Sequence, residues 1–212
     1  MMITENKEDE MIRKTKILKL KGTWNDVLND CRSTVGKEPL DKEPSEAFKK
    51  SMLIAEHSPI RNIFIKWIWE KMPHWVTVHW CRHKWECYIK SQREDRNGIP
   101  REELSQVEPQ NFTGEANIQH LIDTWRKRLC YTASPETRQY AEDFKDTLHD
   151  IDPYIADVLV PNCVYRCGCP EPNECNFFKT MSDFDERFKS TDIQTRYDAY
   201  NEAFYNRNNK EE

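Results

Sequence analysis

Apolar residues recur at two spacings along this chain, and the spacing assigns most of its elements. Between Arg61 and Met72, Ile63, Ile65, Trp67 and Trp69 fall on every second position, the period of a strand. The stretch 15–24 sets Ile17, Leu18 and Leu20 among lysines, which suits an edge strand guarded by charge. Asn25 is placed to cap a short helix that carries Val27, Leu28 and Cys31 and runs to Gly36. Ser45 caps a better-marked helix over 45–57, with Phe48, Met52 and Ala55 on one face, stopped ahead of Pro59. Pro73 opens another helix at a position that tolerates proline, and 86–92 reads as a second, shorter strand. Residues 94–113 read as a polar loop, and 114–133 as a helix with Ile118, Leu121, Ile122, Trp125 and Leu129 on one stripe. Ser134-Pro135-Glu136 begins the next helix, Pro153 restarts the chain, and 161–175 holds too much Cys and Pro for a long regular element. Over 183–206 a polar helix is expected, anchored by Phe184, Phe188, Tyr197 and Phe204.

At least two strands and five or six helices without a βαβ rhythm predict the α+β class: one domain, a mixed or antiparallel sheet packed against several helices. The expected division is a charged lead-in over 1–13, the domain over 14–182, and a polar C-terminal helix and tail over 183–212.

Composition narrows the function. The 212 residues suffice for one domain with a sizeable core, and 11% aromatic content argues for order although 33% are charged. With only five glycines there is no G-x-G-x-x-G and no G-x-x-x-x-G-K-[ST], so phosphate binding by a Gly-rich loop is excluded. A net charge of -5 argues against a nucleic acid polymer as partner but leaves room for a small phosphorylated ligand. The chain has no apolar run of membrane-spanning length, and its polar start, MMITENKEDEMIRK, is not a signal peptide, so a cytoplasmic location and no membrane partner are expected.

Arg82 to Arg96 is the densest concentration of chemistry, with five Lys/Arg against Glu86, Glu94 and Asp95. On an alternating strand Ser91 and Arg93 face the same way and could hold one phosphate, a hydroxyl beside a bidentate guanidinium; the plainer reading is a solvated, salt-bridged strand. Glu56-His57 ends a helix, where the dipole favours a cation and by itself explains a histidine. His79 and His83 have an i, i+4 spacing that can chelate zinc, but the intervening Arg82 opposes a metal there. Arg126-Lys127-Arg128 reads first as a solvated helix face and second as a phosphate or subunit contact. Among eight cysteines, Cys163, Cys167, Cys169 and Cys175 cluster, open to three readings: zinc, a redox pair at Cys167 and Cys169, or buried thiols in a packed turn.

Arg82-His83-Lys84 followed by Ser91-Gln92-Arg93 resembles the signature of flavin-dependent thymidylate synthases, RHR-x7-S-x-R, and the likeness extends over roughly 45–180. The resemblance implies a homotetramer that binds FAD at subunit interfaces. It implies reductive methylation of dUMP to dTMP, with methylenetetrahydrofolate as carbon donor and NADPH as reductant. His57, Arg82, His83 and Lys84 would contact the flavin; His79, Ser91, Gln92 and Arg93 would bind dUMP, with Ser91 and Arg93 at the catalytic centre and no metal. The sequence departs from the pattern at Lys84, in the six residues between Lys84 and Ser91, and at Asp157 and Met181, where the family tends to place arginines. Arg166, Arg187 or Arg96 could stand in for them. The competing reading is a divergent flavin- or nucleotide-binding protein, or a zinc-stabilised one, without thymidylate synthase activity.

Overall fold

The computed structural model describes residues 14–207; the expected lead-in and the last residues of the tail lie outside that range. Four antiparallel strands form one sheet in the order β1-β2-β4-β3: β1 (Thr15–Lys21), β2 (Phe64–Pro73), β3 (Glu86–Ile89) and β4 (Pro109–Asn117). The longer helices are α1 (Trp24–Ser33), α2 (Glu46–Ile54), α3 (His74–Trp80), α5 (Ile118–Arg128), α6 (Pro135–His149), α9 (Phe177–Phe184) and α10 (Ile193–Tyr205). Short turns of helix are α4 (Glu94–Asn97), α7 (Pro153–Asp157) and α8 (Asn162–Arg166). The class is α+β with an antiparallel sheet, as the element pattern predicts.

The alternation in β2 buries Ile65, Trp67 and Trp69 completely and turns Phe64, Lys66, Ile68 and Glu70 outward. Helices α3, α5 and α6 cover the inner face. Trp67 meets Trp125 and Phe144 edge-on, at 6.2 and 5.1 Å between ring centroids, and Trp69 lies 4.6 Å from Trp80. Such contacts add specific geometry to a large apolar burial.

The residues expected to form a loop up to Thr113 and a helix from Gly114 instead form β4. Its buried positions are Gln110, Phe112, Gly114 and Ala116, and two of those four are too small to register as an apolar alternation. Gly114 is small for a reason: a Cβ there would lie 2.3 Å from Trp67 Cζ2. The helix therefore begins four residues later, where Asn117 accepts a hydrogen bond from the His120 N–H.

Three further boundaries differ from expectation. Thr23, not Asn25, caps α1, in a reciprocal capping box with Asp26. β3 ends at Ile89, so Ser91 and Arg93 are not alternating strand residues; pairing runs only from Glu86↔Glu115 to Ile89↔Phe112. The stretch expected as one polar helix over 183–206 is the end of α9, a 3-10 turn at Glu186–Lys189, and α10, which buries Tyr197, Tyr200 and Phe204. Ser45 and Ser134 cap α2 and α6 as read.

Candidate functional site

The polar side of α5 lines a groove. Ile118, Leu121, Ile122 and Trp125 point into the core, while His120, Asp123, Thr124 and Lys127 lie three or four residues apart and share the groove-facing side. The loop after α3 contributes Arg82, His83 and Lys84, and α8 contributes Asn162, Tyr165 and Arg166. Together they enclose a cavity of about 410 Å³. A second hollow, sharing His83, Lys84 and His120, continues it toward Glu115 and Phe64.

Charge in the groove is strongly positive. Arg82, Lys84, Arg126, Lys127 and Arg166 line it against one carboxylate, Asp123. Arg126 is compensated from behind: it pairs with Glu56, and its guanidinium stacks on Tyr165 at 3.5 Å. Glu56 adopts a left-handed backbone (φ +49°) just past α2 and also accepts from Gln119 Nε2 at 2.6 Å. Among the described residues no carboxylate pairs with Arg82, Lys84, Lys127 or Arg166. Four uncompensated cations in a concave site favour an anion with several oxygens, such as a phosphate or pyrophosphate.

His83 sits in this field as a neutral imidazole. Burial, then the charges of Arg128 and Lys127, push its pKa down to about 4. Its Nε2 accepts from Arg128 Nε at 2.8 Å, which leaves Nδ1 to carry the proton. Arg128 also donates to the His79 carbonyl at 2.5 Å, tying α5 to the end of α3. Because unfolded His83 titrates near 6.5, it takes up a proton that the folded protein refuses as pH falls from about 6.5 toward 4. Stability should therefore decline over that window, and His83→Gln should make the decline shallower in thermal unfolding followed from pH 7 to 4.5; an unchanged profile would mean His83 is not held neutral.

The structure gathers Arg82, His83 and Lys84 in the groove with Arg126 and Lys127, and leaves His57, His79, Ser91, Gln92 and Arg93 outside its lining. His57 is exposed at the start of the 3-10 turn Ser58–Asn62. His79 bonds through Nδ1 to Thr137 Oγ1 of α6 at 2.8 Å. Ser91 accepts from the Arg93 N–H at 3.3 Å, Gln92 is half-buried beside it, and the Arg93 guanidinium grips Asp95 in a bidentate pair at 2.9 and 2.7 Å. Asp157 lies near Lys145, and Met181 packs against the core. Arg166 does reach the groove, whereas Arg187 is tied to Asp185 and Glu202.

His120 and Asn162 are groove residues that the sequence reading passed over; the i, i+3, i+4, i+7 polar stripe on α5 was the signal for His120, and nothing comparable marks Asn162 on α8. The cysteine cluster also divides. Cys167 turns its sulfur toward the carbonyls of Phe188 and Ser190, while Cys163, Cys169 and Cys175 line a small cavity with Cys130. Among the described residues no three Cys, His, Asp or Glu side chains are placed to ligate one metal ion.

No family model matches the chain, and no curated protein matches it. Solved structures do share its fold. One is a UMP/dUMP methylase, PolB, from Streptomyces cacaoi, bound with 5-Br dUMP; it superposes with a TM-score of 0.56 at 13% identity, over 68% of this chain and 93% of that one. At that identity the likeness establishes a shared fold.

Proposed function

We propose that this chain methylates a uracil nucleotide, dUMP or a close relative, in the manner of a flavin-dependent thymidylate synthase. The observation that carries the reading is the cationic groove, which assembles Arg82-His83-Lys84 with Lys127 and Arg166 in a fold shared with a dUMP methylase. The groove fits the pyrophosphate of FAD: four uncompensated cations, a neutral imidazole donor and an extension beyond the first cavity. FAD would supply the hydride chemistry, with NADPH as reductant and methylenetetrahydrofolate as one-carbon donor. Arg82, Lys84, Lys127 and Arg166 would hold phosphate oxygens, and Arg128 would fix the His83 ring so that Nδ1–H faces the ligand.

Ser91, Gln92 and Arg93 would bind the dUMP phosphate. The Arg93–Asp95 pair is exposed, with 64% and 60% of the two side chains accessible, and a pair of that kind is worth about 0–1 kcal/mol. A phosphate dianion can therefore displace Asp95 at small cost. Because this segment lies outside the groove, a site shared between copies of the chain, as in a homotetramer, would bring the two together. Among the described residues no helix is long and apolar enough to cross a membrane.

A second reading, nucleotide binding without catalysis, is favoured by Asp157 and Met181 at positions where the resemblance expects arginine. Complementation of a thymidine auxotroph separates the two, since only a catalyst restores growth. Purified protein should be yellow with bound flavin; colourless protein that FAD cannot reconstitute would reject the flavin-dependent reading. Arg82→Ala should weaken FAD retention and Arg93→Ala should weaken dUMP binding, each by about 1.5–3 kcal/mol, the range for a charge-assisted hydrogen bond. Calorimetry on both variants checks the division of labour: if Arg93→Ala leaves dUMP affinity unchanged, Arg93 leaves the site.

A further inference from the structure

The loop that carries Arg82, His83 and Lys84 begins and ends on a cysteine. Cys81 closes α3 and Cys87 is the second residue of β3, and their sulfurs approach to 3.6 Å. Cys81 is exposed and Cys87 half-buried, so a small reactant can reach the pair. Cys87 belongs to an edge strand, because β3 pairs with β4 on one side only. Elsewhere the Cys31 thiol meets the thioether of Met52 at 3.4 Å, and Cys167 turns to the carbonyls of Phe188 and Ser190. A disulfide needs the sulfurs about 2.05 Å apart, and the pair starts from 3.6 Å.

We propose that Cys81 and Cys87 are a reversible disulfide site that clamps the 82–86 loop. The reactant is a small-molecule disulfide, RSSR. A thiolate of the pair attacks one sulfur of RSSR, breaking its S–S bond, forming a mixed disulfide and releasing RS⁻. The second cysteine, as thiolate, then attacks the protein sulfur of that mixed disulfide; the Cys81–Cys87 bond forms, and a second RS⁻ leaves. Two protein thiols are oxidised, RSSR is reduced to two RSH, and both thiol protons end on the released thiols. Burial of its sulfur, followed by the hydrogen bond and charge of Cys87, pushes the Cys81 thiol up to about 12, so the exchange quickens as pH rises.

The loop is held by three hydrogen bonds: Trp85 Nε1–H and the His83 N–H donate to the Trp80 carbonyl at 2.9 and 3.5 Å, and the Trp85 N–H donates to that of His83 at 3.0 Å. A crosslink from 81 to 87 would bind the base of the loop covalently while Arg82 and Lys84 keep their place in the groove. Oxidation thereby turns a hydrogen-bonded loop into a fixed one at the mouth of the cationic site.

The test needs no ligand and stands apart from the methylase reading. Full-length protein is incubated with oxidised glutathione at pH 7 and pH 8.5, then alkylated and digested with trypsin, which cuts after Arg82 and Lys84 inside the ring. The expected result is a peptide pair joined through Cys81 and Cys87, two hydrogens lighter than the separate peptides, formed faster at pH 8.5 and released by a phosphine. In native digestion, cleavage after Arg82 and Lys84 should slow at least about threefold in the oxidised protein, and Cys87→Ser should abolish that difference. Glutathione stably attached to either cysteine without an internal bond, or crosslinks to other cysteines instead, would overturn the proposal. Equal cleavage rates in the oxidised and reduced forms would overturn the clamp. Should Cys87→Ser fail to fold, Cys81→Ser serves as the control.

Discussion

Gly114→Ala is expected to cost about 3 kcal/mol, the upper end of the usual range for an overpacked core. The added Cβ would lie 2.3 Å from Trp67 Cζ2 and 2.7 Å from both Cε2 and Cη2. Trp67 cannot step aside: it is fully buried and ringed edge-on by Trp69, Trp85, Trp125 and Phe144, with centroids 5.1–6.2 Å away. In the sheet Gly114 pairs with both Trp67 and Cys87, so a shift of β4 would disturb two ladders at once. Trp85, displaced by any movement of Trp67, also supports the loop bearing Arg82, His83 and Lys84. The substitution should therefore lower the urea midpoint and weaken the proposed FAD binding together. Gly168→Ala, where an added Cβ meets nothing within 4 Å, is the control. Matching midpoints for the two variants would mean that the tryptophan cluster adapts more freely than its packing indicates.

The same glycine explains where the sequence was hardest to read. β2 was legible because its buried positions carry Ile and Trp, whereas β4 buries Gly114 opposite Trp67 and Ala116 opposite Ile65. Partners of complementary size leave one strand without an apolar alternation of its own, and only the pairing reveals it. At the site, the legible part was the short-range part. Arg82-His83-Lys84 stand together in the chain and together in the groove. Arg126-Lys127-Arg128, read first as one solvated face, meet three fates because successive helix residues are about 100° apart. Arg126 turns under Tyr165 to Glu56, Lys127 enters the groove, and Arg128 reaches back to His83. Glu56-His57 drew notice for its histidine, yet the glutamate anchors the site through contacts with residues more than 60 positions away. Nothing local in the sequence announces such a pairing.

Lys145→Met should change how stability depends on pH. Lys145 is fully buried in α6; its amine donates to the Ala156 carbonyl at 2.6 Å and to Asn201 Oδ1 at 2.8 Å, and the rings of Tyr200, Phe204 and Tyr205 lie 5.1–5.8 Å from it. Burial pushes its pKa from 10.5 down to about 7, against the opposing pull of Asp157 and Asp146, with Arg207 adding to the fall. Two acceptors match the two hydrogens of a neutral amine, whereas an ammonium would leave its third against aromatic carbon. The sign follows from proton binding. Between about 7 and 10.5 the unfolded chain keeps a proton that the folded protein has released, so this lysine makes stability rise with pH; below about 7 both states are charged and the burial penalty is complete. Over pH 7 to 8.5 the rise from this group is about 1–2 kcal/mol, taking 1.36 kcal/mol per pH unit as the ceiling. Methionine fills similar space and binds no proton, so the variant should lack that rise. Because methionine also leaves the Ala156 carbonyl and Asn201 without their donor, the difference in slope, not absolute stability, is the measurement. Asp157 belongs to this arrangement: its carboxylate favours the charged lysine and accepts from the Tyr205 hydroxyl at 3.4 Å. An arginine there, as the resemblance would expect, would set a second cation beside a buried amine. Asp157→Arg should then push Lys145 further down and steepen the pH dependence that Lys145→Met removes; urea unfolding of both variants from pH 6.5 to 8.5 decides it, and parallel profiles for the two would break the link between Asp157 and Lys145.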